Sequence, residues 1–372
     1  MSDRRTDEVY ARLEDIDREI LRSVERRARL VEDLIKARTG NSVLLPIADG
    51  AHLATLERAA QGTLPPAAVR SIFEAVDAAR RVYEVAPNVT YVGVEGGFGF
   101  LAARAQFGAR AELHAAHNHL AAFDDVTRSR ADFAVVPYES LEEGPQFDTI
   151  QAIIASDLKL VGERHVAQAL SLIATSAEVD KVETIYAVPV HRVACEAYLE
   201  QHHPRAVVHD ARSPHAALEA LAGNPTAAAI VPRGTPLSNG SYDFSNLVIA
   251  RESIADAGES RVRWGVVSRL PMPRTGNDAT AVVFGIHDRP GALHDILGHF
   301  KERDCSLRRI HSRAVRGPNG WDYLFYVEVG GHVTDRPLTS ALEGVKREAR
   351  TLHVVGSFPV EDPAPPASSH KR

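Results

Sequence analysis

Residues 131–163 read ADFAVVPYESLEEGPQFDTIQAIIASDLKLVGE, and the rest of the chain is organised around them. Phe133 to Pro137 is a short apolar run with β-branched residues, the pattern of a buried strand. Tyr138 to Gly144 is polar and acidic and closes on a glycine, which predicts a loop at that strand's end. Thr149 to Ala155 places apolar residues at helical spacing, and Leu158 to Val161 forms a second short strand. Open α/β sheets bind ligands in the crevice outside their strand ends. The same pattern also serves as a plain connection, so the flanks decide between the two.

The chain has 372 residues, room for two or three domains. Hydrophobic residues make up 44% and charged residues 25%, an ordinary soluble balance. A net charge of −6 argues against nucleic acid as a partner. Cys195 and Cys305 are too few and too far apart for a disulfide framework or a zinc site, so a reducing compartment is expected. The N-terminus MSDRRTDEVY has no apolar core, and no run reaches the ~18 apolar residues of a membrane span. A cytoplasmic protein without signal peptide or membrane contact is expected.

Asp7 to Arg38 is one helical pattern free of Gly and Pro. Leu13, Ile16, Ile20, Val24, Val31 and Leu34 share a face, and Arg27 and Arg38 fall on the same stripe. Two guanidinium groups on a buried seam need anions; a lone Arg there is as well explained by a Glu partner or by snorkelling. A helix this long needs a partner helix, expected from a second chain. The phrase LEDIDREILRSVERRARLVEDLIKAR resembles the first helix of the all-helical chorismate mutase domain. That family forms an intertwined dimer whose seam arginines bind a dicarboxylate. The resemblance implies substrate contacts at Arg27, Arg38, Asp49 and Glu84. Tyr10 replaces an arginine contributed across the dimer, His52-Leu53 replaces an Arg-Glu pair, Arg80 a small polar residue, and Glu84 a glutamine. Each lost donor costs rate, so efficient mutase activity is not expected.

Ala86 to Asn88 marks the next boundary. Thr90 to Val94 is a strand, then Glu95-Gly96-Gly97-Phe98-Gly99, then a helix from about Phe100 to Phe107. Such a glycine turn receives a carboxylate or phosphate on its N–H groups, or simply permits close packing. Its glycine spacing is not a dinucleotide fingerprint. VTYVGVEGGFG, VVPYESLEEG and DLKLVGE together resemble, in order and spacing, the prephenate dehydratases, whose turn reads GPEGTFS. Gly97 and Gly99 stand where the family has Thr and Ser.

Glu163 to Ser176 reads as a connection with a helix from about Val166. A second lobe begins at Tyr186 to Pro189, with a helix from His191 to His202. Ala187-Val188-Pro189-Val190 replaces the family's Ser-His-Pro-Gln. His202-His203 reads as a solvated helix end rather than a metal site. Leu247 to Arg269 is expected to return to the first lobe. There Val262-Arg263-Trp264 occupies the family's Thr-Arg-Phe. The resemblance makes Arg263 the clamp on the substrate carboxylate, and puts Val262 where the family's proton-donating hydroxyl stands. Glu139, Ser140 and the Gly96-Gly97 backbone are expected to complete the wall.

After a Pro/Gly linker at Leu270 to Asn277, Thr280 to Val360 reads strand, helix, strand, strand, helix, strand, a ferredoxin-like α+β module. DRPGALHDIL, IHSRAV and GSFPV resemble an ACT domain. In the dehydratases that module binds phenylalanine between subunits, which implies effector contacts at Gly291, Ala292, Leu293, His311, Ser312 and Arg313; a ligand-free dimerisation module is the other reading. Glu361 to Arg372 is expected to be a disordered tail.

The fold expected is therefore multidomain: an all-α mutase-like domain (1–86), a two-lobed α/β dehydratase domain resembling periplasmic binding proteins (87–270) and an α+β ACT domain (278–360). The function implied is that of a chorismate mutase/prephenate dehydratase of phenylalanine biosynthesis. A prephenate decarboxylase and a phenylalanine-binding protein without activity remain open. Neither cofactor nor metal is implied. The partners are a small-molecule substrate, an aromatic amino acid effector and a further copy of the chain.

Overall fold

A computed structural model describes residues 2–37, 86–109, 111–140, 144–179, 181–238, 243–258, 260–286, 289–317 and 320–361, with scattered positions from 55 to 76. Arg38, Asp49, Glu84, residues 318–319 between the second and third strands of the last module, and the tail beyond Glu361 lie outside them. The chain forms two compact units, Met1–Val85 and Ala86–Arg372.

The first unit is led by α1 (Ser2–Ala37), a helix of 36 residues. Leu13, Ile16 and Ile20 are 50–55% exposed along it, so the apolar stripe of α1 is left half open to solvent. Arg27 is half-buried on the same helix.

The second unit opens with β1 (Asn88–Val92), α2 (Phe98–Phe107), β2 (Glu112–Ala116), α3 (His119–Thr127) and β3 (Phe133–Ser140). β4 (Gly144–Pro145), α4 (Phe147–Ala155), β5 (Lys159–Gln168) and β6 (Leu170–Ala174) follow. Then come β7 (Thr184–Ala187), α5 (Pro189–Val193), α6 (Glu196–His202), β8 (Val207–Asp210), α7 (Pro214–Glu219), β9 (Ala227–Pro232), β10 (Val248–Arg251) and β11 (Ser260–Ser268). β12 (Asp278–Gly285), α8 (Ala292–Lys301), β13 (Leu307–Gly317), β14 (Gly320–Gly330), α9 (Arg336–Glu348) and β15 (Thr351–Pro359) complete it.

Among the described residues these strands form three sheets. Lobe 1 has the order β2-β1-β3-β11-β5 with β4 paired to β3, lobe 2 the order β10-β6-β9-β7-β8, and the third sheet β13-β14-β12-β15. β1, β2 and β3 run parallel, so their crossovers carry helices; β1 and β3 are buried on both faces, while β2 is a largely exposed edge strand. The third sheet is antiparallel, with α8 and α9 on one face around Val282, Phe284, Phe325 and Val327. Among the described residues its other face carries no helix of its own module and packs against lobe 1, α4 included. Ala281, Val283, Tyr326, Val355 and Phe358 instead share one core with Val136, Tyr138, Leu160 and Val267 of lobe 1.

Four local expectations are corrected. Tyr138, Glu139 and Ser140 are strand rather than loop, because β11 and β4 satisfy their backbone groups. The helix expected from Val166 is absent: β5 continues to Gln168, paired with β11 along its length, and β6 follows. The return to lobe 1 comes after Arg251, since β10 pairs with β6 of lobe 2. Glu361 is held in place, accepting hydrogen bonds from Arg164 Nη1 (2.6 Å) and His165 N (2.8 Å).

Candidate functional site

The turn after β1 is built for close approach. Gly96 has φ +77°, a left-handed backbone that glycine adopts without strain. The Thr235 hydroxyl of lobe 2 donates to the Gly96 carbonyl at 3.1 Å, so the turn sits where the lobes meet. Gly97 is the N-cap of α2 and offers no side-chain cap, which leaves the first helical N–H groups for a ligand. A Cβ on Gly99 would meet the Val92 carbonyl oxygen at 2.0 Å and the Trp264 ring at 3.1 Å. Trp264 therefore lines the same turn.

Strand alternation divides the remaining expected site residues. β11 pairs regularly with β5 from Ser260 to Val266, so Val262 and Trp264 share one face and Arg263 points the opposite way. Val262 lies opposite Ser140 on β3, and Arg263 lies opposite Glu139. Directly paired residues face the same side. Val262, Ser140 and Trp264 thus belong to the face of the glycine turn. Glu139 and Arg263 belong to the face covered by the third sheet.

Arg263 is 2% exposed and surrounded by protein carboxylates. Its Nε pairs with Glu139 (2.9 Å) and its Nη1 with Glu163 (2.9 Å). Its Nη2 bonds Glu328 of β14 and the Tyr326 hydroxyl (3.3 Å), and its plane lies over the Tyr138 ring (5.0 Å). Arg309 of β13 adds pairs to Glu328 (2.8 Å) and Glu139 (3.5 Å). Burial works against the Arg263 charge, yet Tyr326 and the carboxylates push its pKa up. Burial pushes the Glu163 carboxyl up, with Arg263 opposing. Burial acts on Glu328 too, but there Arg263 and Arg309 prevail and hold it below the usual carboxylate range. The expectation of Arg263 as a substrate clamp gives way here, because its donors are directed to Glu139, Glu163, Glu328 and Tyr326. Glu139 follows it out of the cleft wall.

One residue of this region carried no expectation. His191 sits in the middle of the otherwise exposed α5, yet is only 6% exposed, edge-on to Phe98 with ring centres 5.7 Å apart. Burial pushes its pKa down to about 4, opposed by a hydrogen bond with the Ile230 carbonyl. Its Nδ1 has no partner, so a neutral ring leaves one buried nitrogen open. The cue in the sequence was a lone His four residues after a strand, which periodicity alone does not distinguish. His203, expected to be solvated, is also buried, beside Tyr198. Among the described residues no cluster of His, Cys, Asp or Glu could hold a metal ion.

The expected effector residues also split between faces. Gly291, with φ +83°, caps α8, and Leu293 joins the core beneath the helices. Ser312 pairs with Phe325 and so lies on that helical side. His311 and Arg313 face lobe 1, where His311 reaches Glu139 (3.6 Å) and Arg313 reaches Asp148 (3.1 Å).

Comparison with known proteins is consistent along the chain. Family models match for chorismate mutase type II at residues 9–85, prephenate dehydratase at 89–271 and the ACT domain at 280–347. A bifunctional chorismate mutase/prephenate dehydratase of Aquifex aeolicus (strain VF5) is 28% identical over 358 residues, 95% of this chain and 97% of that protein. A prephenate dehydratase of Mycobacterium marinum is 31% identical over 243 residues, 64% of this chain and 75% of that protein. Among solved structures, prephenate dehydratase from Arthrobacter aurescens in complex with L-Phe superposes with a TM-score of 0.58 at 28% identity, covering 73% of this chain and 90% of that one.

Proposed function

From the premise that the chain belongs to the prephenate dehydratase family, with a chorismate mutase type II module before it and an ACT domain after it, we propose that it acts on prephenate in phenylalanine biosynthesis under ACT-domain control. The observation that carries this is the order of three modules, matched across 95% of the chain by a bifunctional relative. The reading includes a division at 1–86, 87–270 and 278–360, cytoplasmic placement and a homo-oligomer. It also takes phenylalanine as effector, which is supported by the L-Phe bound in the Arthrobacter aurescens relative. No described helix is long and apolar enough to cross a membrane.

In this reading prephenate lies between the lobes, one carboxylate on the N–H groups at the start of α2, with Ser140, Val262 and Trp264 beside it. Those N–H groups and the positive end of the helix supply anion binding that Arg263, turned away, does not. Val262 has no proton to give to a departing hydroxide. One observation favours a second outcome: with no hydroxyl at 262, decarboxylation that leaves the substrate hydroxyl in place fits the same wall.

The test is incubation with chorismate and with prephenate, followed by mass analysis. Phenylpyruvate from prephenate supports the dehydratase, and a decarboxylated product retaining its hydroxyl supports the second outcome. Unchanged prephenate, together with no binding of it, would sink both.

A further inference from the structure

Three strands of this molecule each carry a residue on an expected ligand face next to one that enters the ion cluster. On β11, Val262 faces the glycine turn while Arg263 enters the cluster; on β3, Ser140 and Glu139 divide in the same way. On β13, Ser312 faces the helical side with Leu293, while Arg309 and His311 reach the cluster. In a strand, moving one side chain carries its neighbour on the opposite face with it.

We infer that the cluster of Arg263, Arg309, Glu139, Glu163 and Glu328 is the mechanical link through which occupancy at the ACT domain alters the lobe cleft. Arg263 and Arg309 are positioning residues in it, and the inference rests on the functional reading above. Three properties of the cluster fit a coupling element. Its centre, Arg263 with Glu163 and Glu328, is buried, so those pairs are little screened by salt. It is shared: Glu139 is contacted by Arg263 from lobe 1 and by Arg309 and His311 from β13, so the same carboxylate answers to both sides. It is unbalanced, with two guanidinium groups among three carboxylates, so displacing Arg309 leaves Arg263 to re-partition its bonds. The surrounding core of Tyr138, Tyr326, Val267 and Val283 is continuous between the sheets, so the displacement is not absorbed in a gap.

The experiment is calorimetric titration of the full-length protein with L-phenylalanine, alone and with saturating prephenate, and the reverse. Linkage requires the same coupling factor from either direction, within about 5–150-fold for an allosteric pair. Arg309→Met removes the half-buried guanidinium while leaving Arg263 with its carboxylates, and Glu328→Gln keeps the shape at 328 but removes its charge. The expected result is that Arg309→Met still binds each ligand within about threefold of the unmodified protein, while the coupling factor falls at least about fivefold, towards one. Coupling unchanged in both variants overturns the inference. So does an unmodified protein that binds both ligands independently, which would leave the functional reading standing. An unmodified protein that fails to bind prephenate strikes that reading itself, and the inference with it.

Discussion

The resemblance read from the sequence puts the Val262 methyl where a dehydratase of this family uses a hydroxyl, and the two side chains are nearly the same size. Val262→Thr is therefore expected to fit without strain and to raise the rate of dehydration by at least about tenfold, towards the ~10²–10⁴ typical of general-acid help. Comparing single-turnover rates on prephenate checks it; an equal rate in both proteins would show that the acid lies elsewhere. His191 gives a second expectation. Its folded-state pKa is pushed down to about 4, below the ordinary 6.5 of the unfolded chain. Between those values the unfolded state binds more protons, so stability falls as pH falls through that window. The loss reaches about 3 kcal/mol at its acid end. Urea midpoints at pH 7 and pH 4.5 should separate more for the unmodified protein than for His191→Leu. His165, whose pKa burial also lowers, accounts for part of the slope that remains. Neither His191 nor the true direction of Arg263 was legible from residue identity. Arg263 could have been placed: in an extended run, neighbours 262 and 263 cannot face the same site. The reading of Tyr138 to Gly144 as a loop hid that same alternation at Glu139 and Ser140.

Elements were legible where one period dominates. α1, the first five residues of β3 and the succession of strands and helices in the third module followed from spacing, because burial on one face fixes each period. Val166 to Ser176 was misread because β5 and β6 are short-range ambiguous: apolar runs of that length suit a helix or a buried strand equally. Only pairing with β11 and β9 decides. The glycine turn shows a subtler exchange between elements. Gly99 stands at the family's Ser and Trp264 at its Phe, and the outer atoms of the indole lie against Gly99. The larger ring takes up space that a side chain at 99 would need. Gly99→Ser is expected to cost about 1–3 kcal/mol by overpacking. Trp264→Phe added to it should return only part, because the Val92 carbonyl oxygen also crowds that position. A double-mutant cycle on thermal or urea unfolding should give a coupling above about 0.5 kcal/mol; strict additivity would show that the two replacements are unrelated.

At the scale of the whole molecule, the order of modules was the most legible feature, and the association of copies follows from what one copy leaves uncovered. A helix of 36 residues extends roughly 54 Å, longer than a small bundle can bury. Val9, Leu13, Ile16 and Ile20 are each about half exposed, in a row along it. Monomers rarely display so continuous an apolar stripe, and the area is best covered by the same helix of a second copy, since an isologous contact repeats each residue twice. β13, an edge strand with Ile310 and Tyr323 nearly half exposed on or beside it, offers a second place for copies to meet. Two independent surfaces predict that breaking one leaves the other. Multi-angle light scattering of the full chain should give a dimer or larger. Placing Glu at both Leu13 and Ile20 should separate the N-terminal helices, weakening that contact by orders of magnitude in Kd while the contact at β13 remains, since two desolvated charges on a seam cost several kcal/mol. A full-length protein that runs as a monomer at micromolar concentration would mean that the stripe on α1 is covered by something other than a second copy.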